Sequence, residues 1–328
     1  MKGRERDTPK KEGERLKIAA LVVTYNRLEL LKKTLNAYTC QKRIPDMVLV
    51  VDNCSTDGTQ SYLEGWNAEQ KPFESKIYCL PENRGGSGGF SFGMSAALET
   101  DCDWVFVADD DAVPRPDMFE RLYDFCDAHP DQLSQAAALC TAVYQGGRPA
   151  RNHRCYWKNT PVGKIELYFK DEAYQTEFFD VDLYTFVGAM IRTSALREAG
   201  IARDDFFLDG DDFEHAERVR RCGRIICVPG AIMDHTCNPV HSHSTTWRDY
   251  YAARNHTLMY KIHFGNYAAF WRAARKLVLA VLFYAPEKVK VTWAGAVDAF
   301  KMKTGLHPVY RPGWHPARGK DSKKKRAS

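Results

Sequence analysis

Trp104-Val105-Phe106-Val107-Ala108-Asp109-Asp110-Asp111 runs from an apolar segment straight into three carboxylates. An unbroken apolar run suits a strand covered on both faces. Adjacent acids repel one another, so a cation is expected among them. On an extended strand end, positions 109 and 111 project to one side and 110 to the other. Two carboxylates on one side suit a hard divalent ion such as magnesium or manganese, shared with a pyrophosphate. The bland alternative is a solvated acidic turn or a helix cap.

Three segments upstream repeat the pattern of an apolar run that ends in polar residues. Lys17 to Val23 ends in Thr24-Tyr25-Asn26-Arg27, and Leu28, Leu31 and Leu35 then recur at helical spacing. Met47 to Val51 ends in Asp52-Asn53-Cys54-Ser55-Thr56-Asp57-Gly58-Thr59, before a helix through Tyr62 and Trp66. Asp52 and Asn53 are placed to accept hydrogen bonds from a ribose or a base edge. Capping of the next helix by Asp52 or Ser55 is the structural alternative. Lys76 to Leu80 leads into Asn83-Arg84-Gly85-Gly86-Ser87-Gly88-Gly89 and a helix to about Glu99. Glycines there permit close approach of backbone to phosphate, although a tight turn explains them as well. This loop is neither a P-loop nor the dinucleotide fingerprint, because no Gly-Lys-Ser/Thr and no Gly-x-Gly-x-x-Gly in the first turn occurs. Strand–helix alternation of this kind predicts an α/β fold, a mostly parallel sheet with ligands at its carboxyl edge.

Downstream, Pro114 and Pro116 open a helix to about His129, and Leu139–Tyr144 reads as a strand. Residues 145–180 show no periodicity. Thr193 to Ala199 reads as a helix stopped by Gly200, and Asp211-Asp212 opens another that Gly223 terminates. Acids at a helix start are common for dipole reasons alone. Their functional reading is a general base at an acceptor hydroxyl. Ile225–Val228 is a late strand leading to Asp234-His235-Thr236-Cys237. His235, Cys237, His241 and His243 have spacing similar to a zinc site, but no second ligand pair accompanies them. His235 completing the carboxylate metal site is the preferred reading.

The charge is +5 over 328 residues. Residues 1–17 contribute +3 and residues 311–328 contribute +6, so the stretch between them carries −4. A mildly acidic body argues against nucleic acid as a partner, and a basic tail suits anionic lipid. Ten scattered cysteines without a Cys-x-x-Cys pair read as reduced thiols of a cytoplasmic protein. No run reaches the length of a spanning helix. The expected organisation is a disordered basic start over 1–16, a catalytic domain over 17–245, a helical region over 246–310 and a disordered basic tail over 311–328. In the helical region, Phe270, Trp271, Arg272, Arg275 and Lys276 beside Leu277–Tyr284 suit either a membrane surface or packing on the catalytic domain.

Val22 to Arg27, Asp52 to Thr59, Asn83 to Gly86 and the acids Asp109 to Asp111, taken in order and spacing, resemble glycosyltransferase family 2. Asp211-Asp212, Gly223 and His235 match the later part of the same pattern, so the resemblance covers about residues 17–260. The run Gly85 to Ser91 with three acids looks most like galactofuranosyltransferases of cell-envelope glycan synthesis, and rhamnosyltransferases share much of it. Gly210 stands where galactofuranosyl enzymes usually carry Trp. The resemblance implies a GT-A fold and inverting, metal-dependent transfer from a UDP- or dTDP-linked sugar to a glycan or lipid-linked glycan; the basic, aromatic helical region adds to a cytoplasmic location the option of a peripheral place at the inner face of the cell membrane. It implies a nucleotide-sugar site built from Thr24, Tyr25, Asn26, Arg27, Asp52, Asn53, Asn83, Arg84, Gly85, Gly86, Asp109 and Asp110. It gives manganese or magnesium to Asp109, Asp111 and His235, and the base to Asp212, with Asp211 as alternative or acceptor-binding partner. A sugar nucleotidyltransferase would carry a basic glycine-rich loop after its first strand, where this chain has Thr24-Tyr25-Asn26-Arg27. An inactive carbohydrate-binding protein has no need of Asp109, Asp111 and Asp212.

Overall fold

The computed structural model describes residues 15–236 and 244–316. Cys237, His241 and His243 of the histidine–cysteine cluster lie outside them. The described chain forms two compact units, one of residues 15–207 with 211–236, the other of residues 208–210 with 244–316.

The first unit begins with β1 (Ile18–Thr24), α1 (Leu28–Thr39), β2 (Met47–Asp52), α2 (Thr59–Ala68), β3 (Glu74–Cys79), α3 (Gly85–Ala97) and β4 (Trp104–Asp109). β5 (Ala112–Pro114), α4 (Met118–Ala128), α5 (Pro130–Gln135), β6 (Ala136–Gln145) and β7 (Arg148–Pro149) follow. Residues 145–180, aperiodic in sequence, supply β8 (Arg154–Thr160), β9 (Gly163–Tyr168) and the start of β10 (Phe179–Val181). Then come β11 (Leu183–Tyr184), β12 (Ala189–Arg192), α6 (Thr193–Ala199), α7 (Asp211–Val219) and β13 (Arg224–His235).

The main sheet has the order β10-β13-β6-β12-β4-β1-β2-β3, and β11, β8 and β9 form a small second sheet. β1 to β4 pair parallel, as the double-sided apolar runs of β1, β2 and β4 lead one to expect, with the partly exposed β3 at the sheet edge. β12 enters antiparallel between β4 and β6, so the sheet is mixed rather than wholly parallel. Alternate residues of the central strands serve opposite faces. Ala20, Val22, Val48, Val50, Phe106 and Ala108 pack with Leu31, Leu35, Leu63, Trp66, Phe119 and Leu122 of the helices. Each such buried side chain contributes roughly 1.5–3 kcal/mol.

The opposite face explains the glycine-rich segment. α3 already begins at Gly85, so this stretch is the first turns of a helix rather than a loop. A Cβ at Gly89 would lie 2.5 Å from Val23 Cγ1, and one at Gly93 would lie 2.3 Å from Leu21 Cδ1. The glycines let α3 lie almost directly on β1. At Gly85, φ is +73° and a Cβ would meet the Phe207 carbonyl oxygen at 1.9 Å, a position only glycine fills.

The second unit holds α8 (Arg248–Phe283) and α9 (Pro286–Phe300), packed together, with α8 broken at Gly265. Asn255 Nδ2 donates to the carbonyls of Leu208 and Asp209, both at 2.7 Å, which ties 208–210 to α8. No helix of the described residues is long and apolar enough to cross a membrane.

Candidate active site

β1 lies between β2, which continues the sheet one way, and β4 on the other side. The order in which strands are added therefore reverses between the parallel neighbours β1 and β4, and the crevice beyond the carboxyl ends of such strands is the usual ligand site of an open α/β sheet. Val23 is in register with Asp109 across that point.

Asp110 and Asp111 form a two-residue turn, not the extended strand end expected from sequence. The turn arises because β5 must run antiparallel to β13 immediately afterwards. The acids still part as anticipated, by a different geometry. Asp110 is buried and points back into the sheet edge, accepting from Thr24 Oγ1 at 2.7 Å and Arg27 Nη1 at 3.1 Å. Thr34 Oγ1 donates to the Asp110 carbonyl at 2.7 Å and anchors the turn to α1. Asp109 and Asp111 converge with His235 from the end of β13, one ligand atom from each lying within 4.8 Å of the others. Arg27 Nη1 reaches Asp111 Oδ2 at 2.9 Å, and His235 Nε2 lies 3.1 Å from Asp111 Oδ1.

The electrostatics are uneven. Burial, then the charges of Asp111 and Asp110, push the Asp109 carboxyl far above the usual carboxylate range. Burial also raises Asp110, against the pull of Arg27 and Thr24. Burial would raise Asp111 too, but the His235 hydrogen bond and Arg27 outweigh it and hold it low. His235 would be lowered by burial, and its bond to Asp111 raises it instead. Two carboxylates and an imidazole are a donor set suited to manganese or magnesium, and a divalent cation would relieve the repulsion that leaves Asp109 unfavourable.

Residues from the aperiodic stretch buttress this site. Gln145 Nε2 is 3.1 Å from His235 Nδ1. The buried His153 ring meets the His235 ring edge to face, with centroids 5.2 Å apart. His153 Nδ1 is 2.7 Å from Thr185 Oγ1. Burial, with Arg154 and His235 nearby, drives His153 well below its ordinary value, so it is neutral.

A second group lies at the ends of β1, β2 and β3. Asn53 is buried, with Nδ2 donating to Asn83 Oδ1 at 3.1 Å and to the Gly85 carbonyl at 2.8 Å, and Oδ1 accepting from the Arg84 amide at 3.0 Å. Asp52 is buried and accepts from the Ser55 amide at 3.1 Å. Asn26, at φ 52°, accepts from the Thr56 amide at 2.7 Å. The capping expected of Asp52 or Ser55 falls to Asp57, which takes the Thr59 amide at 3.2 Å and the Leu28 amide at 3.0 Å, serving two helix starts. Tyr25 is 40% exposed at the edge of this group. Gly86 is half-buried in the first turn of α3, and Arg84 Nη2 donates to Asp204 at 2.8 Å.

Asp211 and Asp212 form a third group at the start of α7. Asp211 is buried, and Asp212 Oδ1 accepts the Phe213 amide at 2.7 Å. Their helix ends at Val219, four residues before Gly223.

The family model for glycosyl transferase family 2 matches residues 19–200. The chain belongs to glycosyltransferase family 2. Galactofuranosyltransferase GlfT1 of Mycolicibacterium smegmatis is 29% identical over 208 residues, covering 63% of this chain and 66% of that protein. GlfT1 of Mycobacterium tuberculosis is 30% identical over 210 residues, covering 63% and 65%. The match thus spans just under two thirds of these relatives' own length. Among solved structures, S. aureus TarS 1–349 in complex with UDP-GlcNAc superposes with a TM-score of 0.58 at 16% identity, covering 87% of this chain and 81% of that one. GalNAc-T7 with UDP, GalNAc and Mn2+ gives 0.59 at 14% identity, covering 87% and 56%. These likenesses establish the GT-A fold, a mixed, mostly parallel sheet flanked by helices with a helical C-terminal part.

Proposed function

We propose that this family 2 protein is an inverting, metal-dependent glycosyltransferase that uses a nucleotide-diphospho-sugar, best matched by UDP-galactofuranose, and a glycan or lipid-linked glycan acceptor. The observation that carries this reading is the convergence of Asp109, Asp111 and His235 within 4.8 Å at the β1–β4 reversal. The GlfT1 relatives favour galactofuranose, and the structures crystallised with UDP, UDP-GlcNAc and Mn2+ favour a uridine donor and a divalent ion.

Asp109, Asp111 and His235 would hold the ion, which when bound would offset the negative charge that grows on the departing diphosphate. The chain's own residues do the rest. Thr24, Asn26, Arg27, Asp52 and Asn53 hold the nucleoside, in loops already locked to one another. Asn83, Arg84 and Gly86 line the sugar side. Asp212 takes the proton of the acceptor hydroxyl as its oxygen bonds to the anomeric carbon. The bond to the diphosphate breaks on the opposite face, so the configuration inverts with a single base and no paired carboxylates.

The test is nucleotide release with manganese from a donor panel that includes UDP-galactofuranose and dTDP-rhamnose. UDP-galactofuranose should give the fastest release, and a preference for dTDP-rhamnose would reassign the donor. Asp111→Ala should abolish turnover, and undiminished turnover would sink the metal assignment. Asp212→Asn should lower kcat by about 10²–10⁴-fold with little change in donor KM.

A further inference from the structure

The second unit carries exposed apolar side chains flanked by cations. From 250 to 286 the chain has no Asp or Glu, while Arg254, Lys261, Arg272, Arg275 and Lys276 lie within it. At Gly265 (φ 85°, ψ 177°) the helical path of α8 breaks, and the part beyond buries only small residues, Ala268, Ala269, Ala273 and Ala280. A solvated helix turns polar residues to the other face. Here that face carries Tyr267, Phe270 and Trp271, exposed by 61%, 56% and 40%.

At the helix end the pattern is stronger. Val281, Leu282 and Phe283 are consecutive and exposed by 64%, 65% and 69%. Successive helical residues point about 100° apart, so this end is apolar on every side rather than along one stripe. A single stripe is what a protein groove takes. An end that is apolar all round suits hydrocarbon. The cations stand behind it, with Arg275 two turns back on α8 and Lys290 in the first turns of α9, both exposed. Trp293 on α9 is 60% exposed, and Trp and Tyr favour the headgroup level of a bilayer.

We infer that the α8–α9 turn is a membrane-docking tip, whose apolar end enters the acyl boundary of an anionic bilayer while Arg275 and Lys290 meet lipid phosphates. This deepens the transferase reading, since a lipid-linked acceptor is presented at such a surface.

The experiment is cosedimentation of the full chain with vesicles of about 30% phosphatidylglycerol in phosphatidylcholine, and with phosphatidylcholine alone. The wild-type chain should partition onto the anionic vesicles. The triple variant Val281→Ser/Leu282→Ser/Phe283→Ser should lower that partition by about tenfold or more. Arg275→Gln/Lys290→Gln, neutral vesicles and high salt should each weaken it severalfold. The triple variant's side chains are exposed, so it should keep its circular dichroism and its release of nucleotide from a soluble donor. A wild-type chain that stays in the supernatant, or a triple variant that binds like wild type, overturns the proposal. So does a dimer in light scattering that the triple variant dissociates while vesicle partition is unchanged, because a second copy then occupies the tip. A chain that binds vesicles yet releases no nucleotide from any donor overturns the transferase reading and leaves the docking tip standing.

Discussion

His235 is gripped on both ring nitrogens, by Asp111 at Nε2 and Gln145 at Nδ1, with the His153 ring packed edge to face with its own. A metal-ligating imidazole depends on such partners for ring orientation and tautomer. Gln145→Ala should therefore weaken manganese binding by about 10–100-fold, measured as free Mn2+ by EPR, while the fold stays intact. Unchanged affinity would remove Gln145 from the site. That the acids would gather was legible in sequence, because three like charges directly after a buried run repel one another and call for a cation, whereas His235 was singled out from the histidine–cysteine cluster and by the family resemblance. Gln145 and His153 were not, because a second contact of a ligand leaves no spacing signature and both lie in or beside the aperiodic stretch.

Elements were legible where one period dominates. β1, β2 and β4 read as parallel strands because both their faces are buried. The four-residue β12 and two-residue β11 did not, being too short to show a period, nor did β8 and β9, which are only partly covered. One buried cation helps to attach the small sheet. Arg154 is fully buried, with Nε donating to the Thr141 carbonyl at 2.9 Å and Nη2 to those of Val187 and Gly188 at 2.8 and 3.1 Å. Thus β8 is bolted to β6 and to the lead-in of β12 through backbone oxygens. Arg154→Met keeps the volume and strands those carbonyls, so it should destabilise the chain by about 3 kcal/mol or more in urea unfolding. A loss below about 1 kcal/mol would show that water replaces the guanidinium at no cost.

For the whole molecule, acid lability has an identifiable source. His215 is buried, Tyr184 donates its hydroxyl to Nδ1 at 2.9 Å, and Nε2 donates to the Gly200 carbonyl at 3.1 Å. A carbonyl only accepts, so Nε2 carries a proton, and burial keeps Nδ1 without one, free to accept from Tyr184. Burial, and then Arg218, bring its pKa down to about 3. The unfolded ring takes a proton below about 6.5, which the folded ring refuses until about 3. Stability should therefore be full above the unfolded value and fall steadily as pH drops through that window, by on the order of 4 kcal/mol in all. His215→Phe, whose ring would sit beside that of Phe186, now 5.6 Å from the imidazole, should flatten the decline in urea midpoints between pH 6.5 and 4. An equally steep decline in that variant would exonerate His215. The packing of α3 on β1 reaches further, into the order of assembly. Five of its thirteen residues are glycine. At about 1 kcal/mol each relative to alanine, they leave a segment that does not hold a helix by itself. α3 exists only once Leu21 and Val23 offer it a surface, so it is a late arrival in folding. Conservative substitutions in α3 should speed unfolding and leave the refolding rate nearly untouched. The wall beside the crevice at the β1–β4 edge would then be the last part of the first unit to form and the first to leave.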